Sequence, residues 1–363
     1  MKLGIVGLPN VGKSTLFNAL TGTKAETTAY AFSPITPNIG VVKVPDTRLD
    51  WLAEHYNPQK YTPATIEFVD IAGLAKGASR GEGMGNKFLS HIRQTDALVH
   101  VVRCFDNYAL YGDESADAKR DVEILDLELV LADLEVVQRR LEKAKKNAKG
   151  GDKTYAHEAE LCEELMAHLG EGHPARYFKF SSEDKNILSD GGLLSLKPVI
   201  YAANLDEDGY ANKDDNKCIA ALRKIAEAEH SSVLPICARL EEDLCGMEVE
   251  EKQIFLDELG ITETGLDQLI RCSYSLLGLI SFLTAGRDEV RAWTITEGTK
   301  APKAAGKIHT DFEKGFIRAE VVAFDDLKTY GNMNAAKEKG LVRREGKDYV
   351  MKDGDVVQFL FSR

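Results

Sequence analysis

The residues with the most evident chemical potential stand at the start of the chain, in the stretch GLPNVGKST at residues 7–15. Gly7, Gly12, Lys13 and Ser14 fill the fixed positions of the G-x-x-x-x-G-K-[ST] pattern. The glycines allow a tight turn whose N–H groups point at phosphate oxygens, the lysine reaches the β- and γ-phosphates, and the serine hydroxyl is a ligand for Mg²⁺. The pattern predicts a phosphate-binding loop, with nucleotide contacts from Asn10, Val11, Gly12, Lys13, Ser14 and Thr15.

A second stretch with chemical potential is FVDIAGL at residues 68–74. Asp70 ends a hydrophobic run and Gly73 follows three residues later, which is the D-x-x-G arrangement of nucleotide switch proteins. We predict that the Asp70 carboxylate holds Mg²⁺ through water and that the Gly73 N–H contacts the γ-phosphate. Together with Lys13, these are the residues to which we assign catalysis.

Position 74 is where Ras-like enzymes carry the glutamine that orients the attacking water. This chain has Leu74, whose side chain cannot accept a hydrogen bond from water. One interpretation is slow intrinsic hydrolysis that another group or a partner completes. The other is that Leu74 packs against the core, and the two interpretations are compatible.

The stretch PVIYAANLDEDGY at residues 198–210 contains the predicted base-reading segment. A guanine reader carries Asn-Lys-x-Asp, whereas here Asn204 is followed by Leu205 and, two residues later, Glu207. A short carboxylate accepts two hydrogen bonds from guanine, but adenine would place an acceptor against it, at a cost of about 1–3 kcal/mol. We assign Asn204, Leu205 and Glu207 to base binding and predict a preference for ATP. GTP, or dual use of both nucleotides, stays open because discrimination depends on a few hydrogen bonds.

These residues require a sheet that brings them together. Apolar, β-branched runs alternate with helical patterns, which predicts a largely parallel, doubly wound α/β sheet. The predicted strands are residues 2–6, 39–44, 65–69, 97–102, 198–203 and 232–237.

A helical hairpin interrupts this α/β pattern. Residues 117–149 carry apolar residues, Leu127 and Leu134 among them, at near-heptad spacing, and a second helical pattern covers 154–169 after a Gly-Gly break. The tip of the hairpin is basic and is either a contact with nucleic acid or a solvated helical face. Its basic residues are Arg139, Arg140, Lys143, Lys145, Lys146, Lys149 and Lys153.

Composition limits the classes of partner. The chain has 363 residues, 44% of them hydrophobic, which is enough for two or three domains with their own cores. Its formal net charge of −12 provides no general attraction for phosphate backbones, so nucleic-acid contacts must come from local basic patches. Six cysteines without a C-x-x-C pair indicate reduced, buried thiols, and no apolar run has the length of a membrane span. We therefore expect a cytoplasmic protein without a membrane partner.

At this point the chain resembles a known family, the Obg-like ATPases, called the YchF family in bacteria. The resemblance covers essentially the whole chain and lies in GLPNVGKST, DIAGLAKGASRGEGMGN, HVVRCF, NLDE and APKAAGKIHTDFEKGFIRAEV. It implies an Obg-type P-loop nucleotide domain with a coiled-coil insertion, followed by a TGS domain, which is an α+β, ubiquitin-like fold. It also implies weak ATP hydrolysis and association with the ribosome.

We accordingly divide the chain into three parts. Residues 1–117 and 195–278 are predicted to form the nucleotide-binding domain, 118–194 the helical insertion and 279–363 the TGS domain. The third part shows short alternating strands in EVRAWTI, FIRAEVVAF and YVMKDGDVVQFLF, the last with an Asp353-Gly354 turn.

One stretch departs from the family pattern and leaves the Mg²⁺ shell incomplete. Relatives carry F-x-T-I-x-P-N, whose threonine completes the shell, whereas FSPITPN at 32–38 places Pro34 at that position. Ser33, Thr36 or water could replace the missing hydroxyl, and we assign Thr36 as the metal ligand beside Ser14 and Asp70.

Asn10 has two interpretations. In related switch proteins that lack the catalytic glutamine, an asparagine here helps to hold a K⁺ ion that acts like an arginine finger. Alternatively, Asn10 stabilises the loop through its own backbone.

The sequence therefore predicts a Mg²⁺-dependent P-loop ATPase that acts as a nucleotide-controlled switch on the ribosome, with slow intrinsic hydrolysis. Its ribosomal contact, rRNA or protein of the large subunit, is assigned to the hairpin and the TGS domain. The alternatives are a GTPase or dual ATP/GTP switch, and a nucleotide-gated binding module whose hydrolysis is incidental.

Overall fold

The computed structural model describes residues 1–22, 37–71, 84–106, 115–188, 192–258 and 261–362. Its contacts divide the chain into two compact units. The first contains residues 1–40 and 67–269, and the second contains 41–66 and 270–363.

The first sheet has the strand order β2-β4-β1-β5-β6-β7. Neighbouring pairs from β4 to β7 are all parallel, which confirms the predicted doubly wound α/β fold. Every residue of β5 and β6 is buried, because helices cover both faces of a parallel sheet. The strands are β1 (Lys2–Val6), β2 (Asn38–Lys43), β4 (Thr65–Asp70), β5 (Ala97–Arg103), β6 (Val199–Asn204) and β7 (Ser232–Ile236).

The helical hairpin that the sequence predicts is present. Val130 and Val137 of its first helix pack with Leu161 and Leu165 of the second. Leu127 belongs to the near-heptad pattern but is 49% exposed, because the first helix buries two other faces, one against its partner and one against the sheet. The helices are α4 (Ala118–Ala148) and α5 (Lys153–Gly170).

The other helices of the first unit flank the sheet or follow its strands. Apolar residues of α4 and α8 share one core cluster with β5 and β6. These helices are α1 (Lys13–Thr21), α3 (Met84–Arg93), α6 (Ser182–Leu188), α7 (Glu207–Ala211), α8 (Lys217–Glu229), α9 (Ala238–Cys245), α10 (Val249–Glu258) and α11 (Gly265–Leu276), which crosses into the second unit.

The second unit has its own six-stranded sheet, with the order β11-β10-β12-β8-β9-β3. Central β12 and β8 run parallel, while β8–β9, β12–β10 and β10–β11 are antiparallel. This confirms the predicted α+β domain. The strands are β3 (Lys60–Thr62), β8 (Leu279–Ala285), β9 (Glu289–Thr296), β10 (Phe316–Ala323), β11 (Arg343–Glu345) and β12 (Asp355–Phe361); the helices are α2 (Thr47–Tyr56), α12 (Ala301–Ile308), α13 (Thr310–Lys314), α14 (Phe324–Tyr330) and α15 (Met333–Glu338).

Residues 41–66 group with the second unit, whereas the predicted boundaries placed them in the nucleotide-binding domain. Arg48 of α2 forms a 2.7 Å salt bridge with Asp353, and β3 extends the second sheet by pairing with β9. These contacts are between residues far apart in sequence, which is why no local pattern marked them. Asp353 and Gly354 do form a turn, but a strand lies only on its carboxyl side, where the sequence pattern indicated strands on both.

Of the helices in the described part of the chain, none combines the length and apolar character needed to cross a membrane.

Candidate functional site

The predicted site residues lie at the carboxyl ends of neighbouring parallel strands. Strand β1 lies between β4 and β5. The strands that follow it are therefore added first on one side of β1 and then on the other, which makes β1 a topological switch point. In open α/β sheets, ligands bind outside the carboxyl ends of the strands at such a switch point. Asp70 ends β4, Asn204 ends β6, and the predicted phosphate loop follows β1. The fold thus brings the three sequence motifs to one edge of the sheet.

The loop between β1 and α1 has the backbone of a phosphate-binding turn. Gly7, Asn10 and Gly12 have φ angles of 151°, 62° and 98°. A Cβ on Gly7 would lie 2.5 Å from the Val101 carbonyl oxygen, and a Cβ on Gly12 would collide with the side-chain amide of Asn204. Glycine is therefore required at both positions for steric as well as conformational reasons. Helix α1 begins directly after the loop and presents its unpaired N–H groups there.

Lys13 is buried at the first position of α1, with 7% of its surface exposed. Its Nζ donates a 2.7 Å hydrogen bond to the carbonyl oxygen of Leu8, within the same loop. Burial lowers the pKa of the Lys13 ammonium to about 8, although the nearby Asp70 carboxylate acts in the opposite direction. Phosphate oxygens in the loop would supply the negative charge that this buried ammonium lacks.

Ser14 and Asp70 present two oxygen atoms side by side at the mouth of the loop. The Ser14 Oγ donates to Asp70 Oδ2 at 3.4 Å. Burial raises the pKa of Asp70, while the Lys13 charge and the Ser14 hydrogen bond oppose that shift. A hydroxyl and a carboxylate suit Mg²⁺, which prefers oxygen ligands and takes its remaining ligands from water and substrate phosphates. Among the described residues, no group of three or more His, Cys, Asp or Glu side chains could hold a metal ion.

Asn204 connects the phosphate loop to the next loop along the sheet edge. Its side-chain Nδ2 donates to the Val11 carbonyl at 2.8 Å, and its Oδ1 accepts from the Ala238 N–H at 3.0 Å. The side chain is buried, so both hydrogen bonds are shielded from water. Asn204 therefore fixes the relative position of two loops that border the predicted base site.

The other two predicted base-binding residues lie in different surroundings. Leu205 is 3% exposed and packs in the core of the first unit. Glu207 is exposed at the start of α7. The structure thus places Asn204 directly against the phosphate loop, Leu205 behind it in the core and Glu207 at the surface. Their roles in base binding remain predictions.

The remaining predicted site residues are divided between described and undescribed parts of the chain. Val11 is buried, Thr15 is partly buried, and Asn10 is exposed at the left-handed position of the loop. Gly73 and Thr36 lie outside the described residues. The γ-phosphate contact and the third metal ligand therefore remain predictions.

The helix that follows β7 begins at Ala238, and the sequence does not reveal what supports it. Glu241, in the same helix as Ala238, is buried and accepts hydrogen bonds from the N–H groups of Gly265 at 2.7 Å and Leu266 at 3.3 Å. Burial raises the pKa of this carboxyl to about 7. Glu241 thus joins α9 to the start of α11 and holds the loop that Asn204 contacts. No sequence pattern marks a glutamate in this role.

The hairpin tip is basic in the structure, but two of its predicted basic residues are paired with carboxylates. Arg140 is largely buried and forms a 2.6 Å salt bridge with Glu158 of α5. Lys145 is exposed but paired with Glu163, also at 2.6 Å. The exposed lysines for which the described residues provide no ion pair are Lys143, Lys146, Lys149 and Lys153.

Comparisons with known proteins agree with this geometry. A family model described as "50S ribosome-binding GTPase" matches residues 2–146, and the C-terminal YchF GTPase model, described as a protein of unknown function (DUF933), matches 279–362. The chain is 52% identical over 360 residues to "Ribosome-binding ATPase YchF" of Bacillus subtilis (strain 168), covering 99% of this chain and 98% of that protein. The protein of the same name from Escherichia coli O157:H7 is 50% identical over 362 residues, with 99% of both chains covered. The structure titled "Structure of the Schizosaccharomyces pombe YchF GTPase" superimposes with a TM-score of 0.87 at 38% identity, covering 99% of this chain and 97% of that one.

The loop, the sheet order and the position of Asp70 define a P-loop protein with a nucleotide-binding G domain. The identity and coverage of its relatives extend across both units. The chain belongs to the YchF family.

Proposed function

We propose that this chain is a Mg²⁺-dependent ATPase that acts as a nucleotide-controlled switch and binds the ribosome. The observation that carries the proposal is the Asn204 link between the phosphate loop and the Ala238 loop, in a segment that has Leu205 and Glu207 where a guanine reader has Lys and Asp. The names of the relatives from Bacillus subtilis and Escherichia coli, which are called ribosome-binding ATPases, support it.

In this proposal, Ser14 and Asp70 hold Mg²⁺, with Thr36 as a further ligand. The ion would supply charge neutralisation at the β- and γ-phosphate oxygens. The chain supplies positioning: the loop amides and Lys13 orient the phosphates, and the Gly73 N–H contacts the γ-phosphate. Because Leu74 cannot orient water, we propose that intrinsic hydrolysis is slow.

GTP use is the alternative within the same site. The relative from Schizosaccharomyces pombe is titled a GTPase, and the matching nucleotide-domain family is described as one. Glu207 is exposed, so burial does not hold its carboxylate at a position that would reject guanine. The choice between adenine and guanine is therefore the first property to measure.

The base-reading proposal predicts tighter binding of ATP than of GTP by the wild-type protein. Exchanging Leu205→Lys and Glu207→Asp together should shift the preference toward GTP, because these residues restore the groups that read guanine. The expected shift is about 1–3 kcal/mol, roughly 5- to 150-fold in the ratio of the two dissociation constants. Equilibrium titration with fluorescent ATP and GTP analogues measures it.

Two controls separate base reading from damage to the fold. Leu205→Lys puts an ammonium into the core, so its thermal midpoint must be measured with its affinities. Leu205→Met keeps the site apolar and should leave the ATP preference unchanged. A wild-type protein that prefers GTP would show that the interpretation of Asn204–Glu207 is wrong.

We also propose that a K⁺ ion at Asn10 assists hydrolysis where the glutamine is missing. Replacing Na⁺ by K⁺ at constant ionic strength should then raise the hydrolysis rate, and Asn10→Ala should abolish that response. The left-handed backbone of Asn10 makes Asn10→Gly the matched control, since glycine keeps the loop conformation and removes the same side chain. Steady-state phosphate release measures the rate. Equal rates in both salts would leave Asn10 with a loop-stabilising role only.

The ribosome contact is assigned to the exposed lysines of the hairpin tip and to the C-terminal unit, for which we propose a TGS, ubiquitin-like assignment. The large subunit is proposed from the description of the matching nucleotide-domain family. Helix α4 is roughly 45 Å long at 1.5 Å per residue, so it carries these lysines away from the sheet. In the C-terminal unit, Lys300 is paired with Asp348 and Lys303 with Glu313, whereas Lys307 and Lys314 are exposed. The tip presents its exposed lysines at the end of a long helical hairpin, which makes it the stronger candidate for rRNA. A cytoplasmic location accompanies this proposal.

Reversing three of the exposed tip lysines, Lys143→Glu, Lys146→Glu and Lys149→Glu, should weaken co-sedimentation with 50S subunits. The slope of the logarithm of the ribosome-binding constant against the logarithm of the salt concentration should decrease in magnitude by up to about three. The reason is that each lost phosphate contact releases about one counterion fewer. ATP hydrolysis by the free protein should not change.

Charge reversal of Lys217 and Lys224, exposed on α8, is the matched control and should leave sedimentation unchanged. The same samples distinguish a switch enzyme from a gated binding module. A switch enzyme hydrolyses ATP faster in a single turnover when ribosomes are added, and the hairpin variant loses that acceleration. If the hairpin variant sediments like the wild type, the tip is a solvated surface.

A further inference from the structure

Helix α9 is attached to its neighbours at three points. At its first residue, the Ala238 N–H donates to Asn204 Oδ1 at 3.0 Å. At its last residue, the Cys245 Sγ donates to the Ala19 carbonyl of α1 at 2.9 Å. Between these points, the Glu241 side chain accepts two hydrogen bonds from the start of α11. Helix α9 therefore connects the predicted base site, the helix that follows the phosphate loop, and α11.

The contact in the middle of α9 is a buried carboxyl. Glu241 is 4% exposed, and the N–H groups of Gly265 and Leu266 both donate to its Oε1. These are the first two N–H groups of α11, and the first N–H groups of a helix have no acceptor within their own helix. Glu241 thus caps α11 from another helix. Without this carboxyl, two buried donors would lose their partner, which disfavours the present packing of the two helices.

The start of α11 lies in close contact with both α9 and β7. A Cβ on Gly265 would lie 3.0 Å from Glu241 Oε1 and 3.3 Å from Ile236 Cγ1. The Ile236 carbonyl in turn accepts from the Leu205 N–H at 2.8 Å. The Glu241 contact therefore holds α9 and α11 together beside the ends of β6 and β7, where the predicted base-reading segment begins.

We propose that Glu241 is a positioning residue for the nucleotide base. By joining α9 to α11, it holds the Ala238 N–H against Asn204, and Asn204 then borders the base in a fixed orientation. The Glu241 side chain is buried against α11, so it acts through Ala238 and not by contact with the nucleotide. This role rests on the proposed function, because it requires that a nucleotide bind at this edge of the sheet.

The phosphate side of the site has supports of its own. Lys13 donates to a carbonyl of its own loop, and the Asn204 Nδ2 donates to the Val11 carbonyl. Neither hydrogen bond uses Glu241 or Ala238. Loss of the Glu241 acceptor should therefore weaken binding through the base and leave binding through the phosphates unchanged.

Acceptance through one oxygen makes glutamine a close mimic of the native side chain. Glu241→Gln keeps the length of the side chain and an acceptor at the Oε1 position, whereas Glu241→Ala removes the acceptor. Burial raises the pKa of the Glu241 carboxyl to about 7, so the native group is already partly neutral at pH 7. Glu241→Gln should therefore retain the nucleotide affinity that Glu241→Ala loses.

The test measures equilibrium binding of ADP to full-length variants by calorimetry in the presence of Mg²⁺. We expect Glu241→Ala to raise the dissociation constant by about 5- to 20-fold, which is part of the effect of leaving two buried donors without an acceptor. Glu241→Gln should stay within about twofold of the wild type. Glu242→Ala is the matched control, because Glu242 is the next residue of α9 and is exposed.

Gly265→Ala disturbs the same contact from the other helix. Its methyl group would crowd the Glu241 Oε1 without removing a hydrogen-bonding group, so it should weaken ADP binding in the same direction. It also provides the test if Glu241→Ala does not fold. Circular dichroism and thermal unfolding establish which variants are folded.

Tripolyphosphate distinguishes positioning of the base from general damage to the site. It carries phosphates without a base, so Glu241→Ala and Gly265→Ala should bind it as the wild type does. Equal loss of affinity for both ligands, unchanged ADP affinity in the folded variants, or failure of Glu241→Gln to retain it would each overturn the proposal. A wild-type protein that binds neither ligand would instead refute the proposed nucleotide site, and this role with it.

Discussion

Lys13→Ala should lower Mg²⁺-dependent ATP hydrolysis by about 100- to 1,000-fold, the cost of removing one preorganised donor from a site where charge is stabilised. The Lys13 ammonium is buried, and its only described hydrogen bond is to a carbonyl of its own loop. A triphosphate would offer it full negative charges in the same shielded place. Steady-state phosphate release and nucleotide titration measure the loss. Ser14→Ala should lower both the hydrolysis rate and the nucleotide affinity, because Ser14 is a proposed Mg²⁺ ligand.

The pH dependence of binding gives an independent check on Lys13. Its pKa is about 8 in the free protein, and bound phosphate should raise it by favouring the ammonium form. Below pH 8 the group is already charged, so its contribution to affinity is constant there. Above pH 8 binding must take up a proton, and affinity should fall by up to about tenfold per pH unit until the pKa of the complex is reached. Lys13→Ala should remove this dependence.

Loss of activity must be separated from loss of fold. Removing a buried ammonium with a depressed pKa relieves a desolvation cost, so Lys13→Ala should keep or raise the thermal midpoint. Lys2→Ala is the control, because Lys2 is a partly exposed lysine at the start of strand β1, which precedes the phosphate loop, and lies 3.7 Å from Glu67. Near wild-type hydrolysis by Lys13→Ala would contradict the assignment of the phosphate loop.

The parts of the fold that the sequence predicts are those that depend on neighbouring residues, through burial patterns and allowed backbone conformations. Runs such as residues 97–102 are apolar except for His100 because strand β5 is covered on both faces. The phosphate loop is recognisable because Gly7 and Gly12 answer steric demands that no other residue meets. The Gly-Gly break between α4 and α5 is visible for a similar reason, since Gly151 has a φ of 85°.

The features that sequence analysis missed depend on contacts between distant segments. Near-heptad spacing suggested Leu127 as a hairpin contact, but α4 is covered on two sides, and Leu127 faces neither. The assignment of residues 41–66 to the second unit depends on pairs such as Arg48 with Asp353. Periodicity contains no information about such pairs.

Asp133 is the most consequential of these unpredicted residues, and Asp133→Ala should destabilise the protein by about 3–5 kcal/mol. The carboxylate is fully buried in α4. Its Oδ1 accepts from the Leu194 N–H at 2.8 Å, and its Oδ2 accepts from the Ser195 N–H at 2.7 Å and the Ser195 Oγ at 2.6 Å. Alanine would leave three buried donors unpaired, and each costs about 1–3 kcal/mol before relaxation.

The Asp133 contacts matter because they join the hairpin to the strand that carries the base-reading segment. Ser195 lies just before β6, and its own Oγ accepts from the Ala175 N–H at 3.0 Å, so one carboxylate organises both the exit from the hairpin and the entry to β6. Asp133→Asn keeps the shape of the side chain but replaces one acceptor oxygen by a donor. We therefore expect it to lose about half the stability that Asp133→Ala loses. Asp152→Ala removes an exposed helix cap and should cost only about 1 kcal/mol. Urea unfolding of the three variants measures the series. Equal midpoints for Asp133→Ala and Asp152→Ala would mean that the buried donors find other partners.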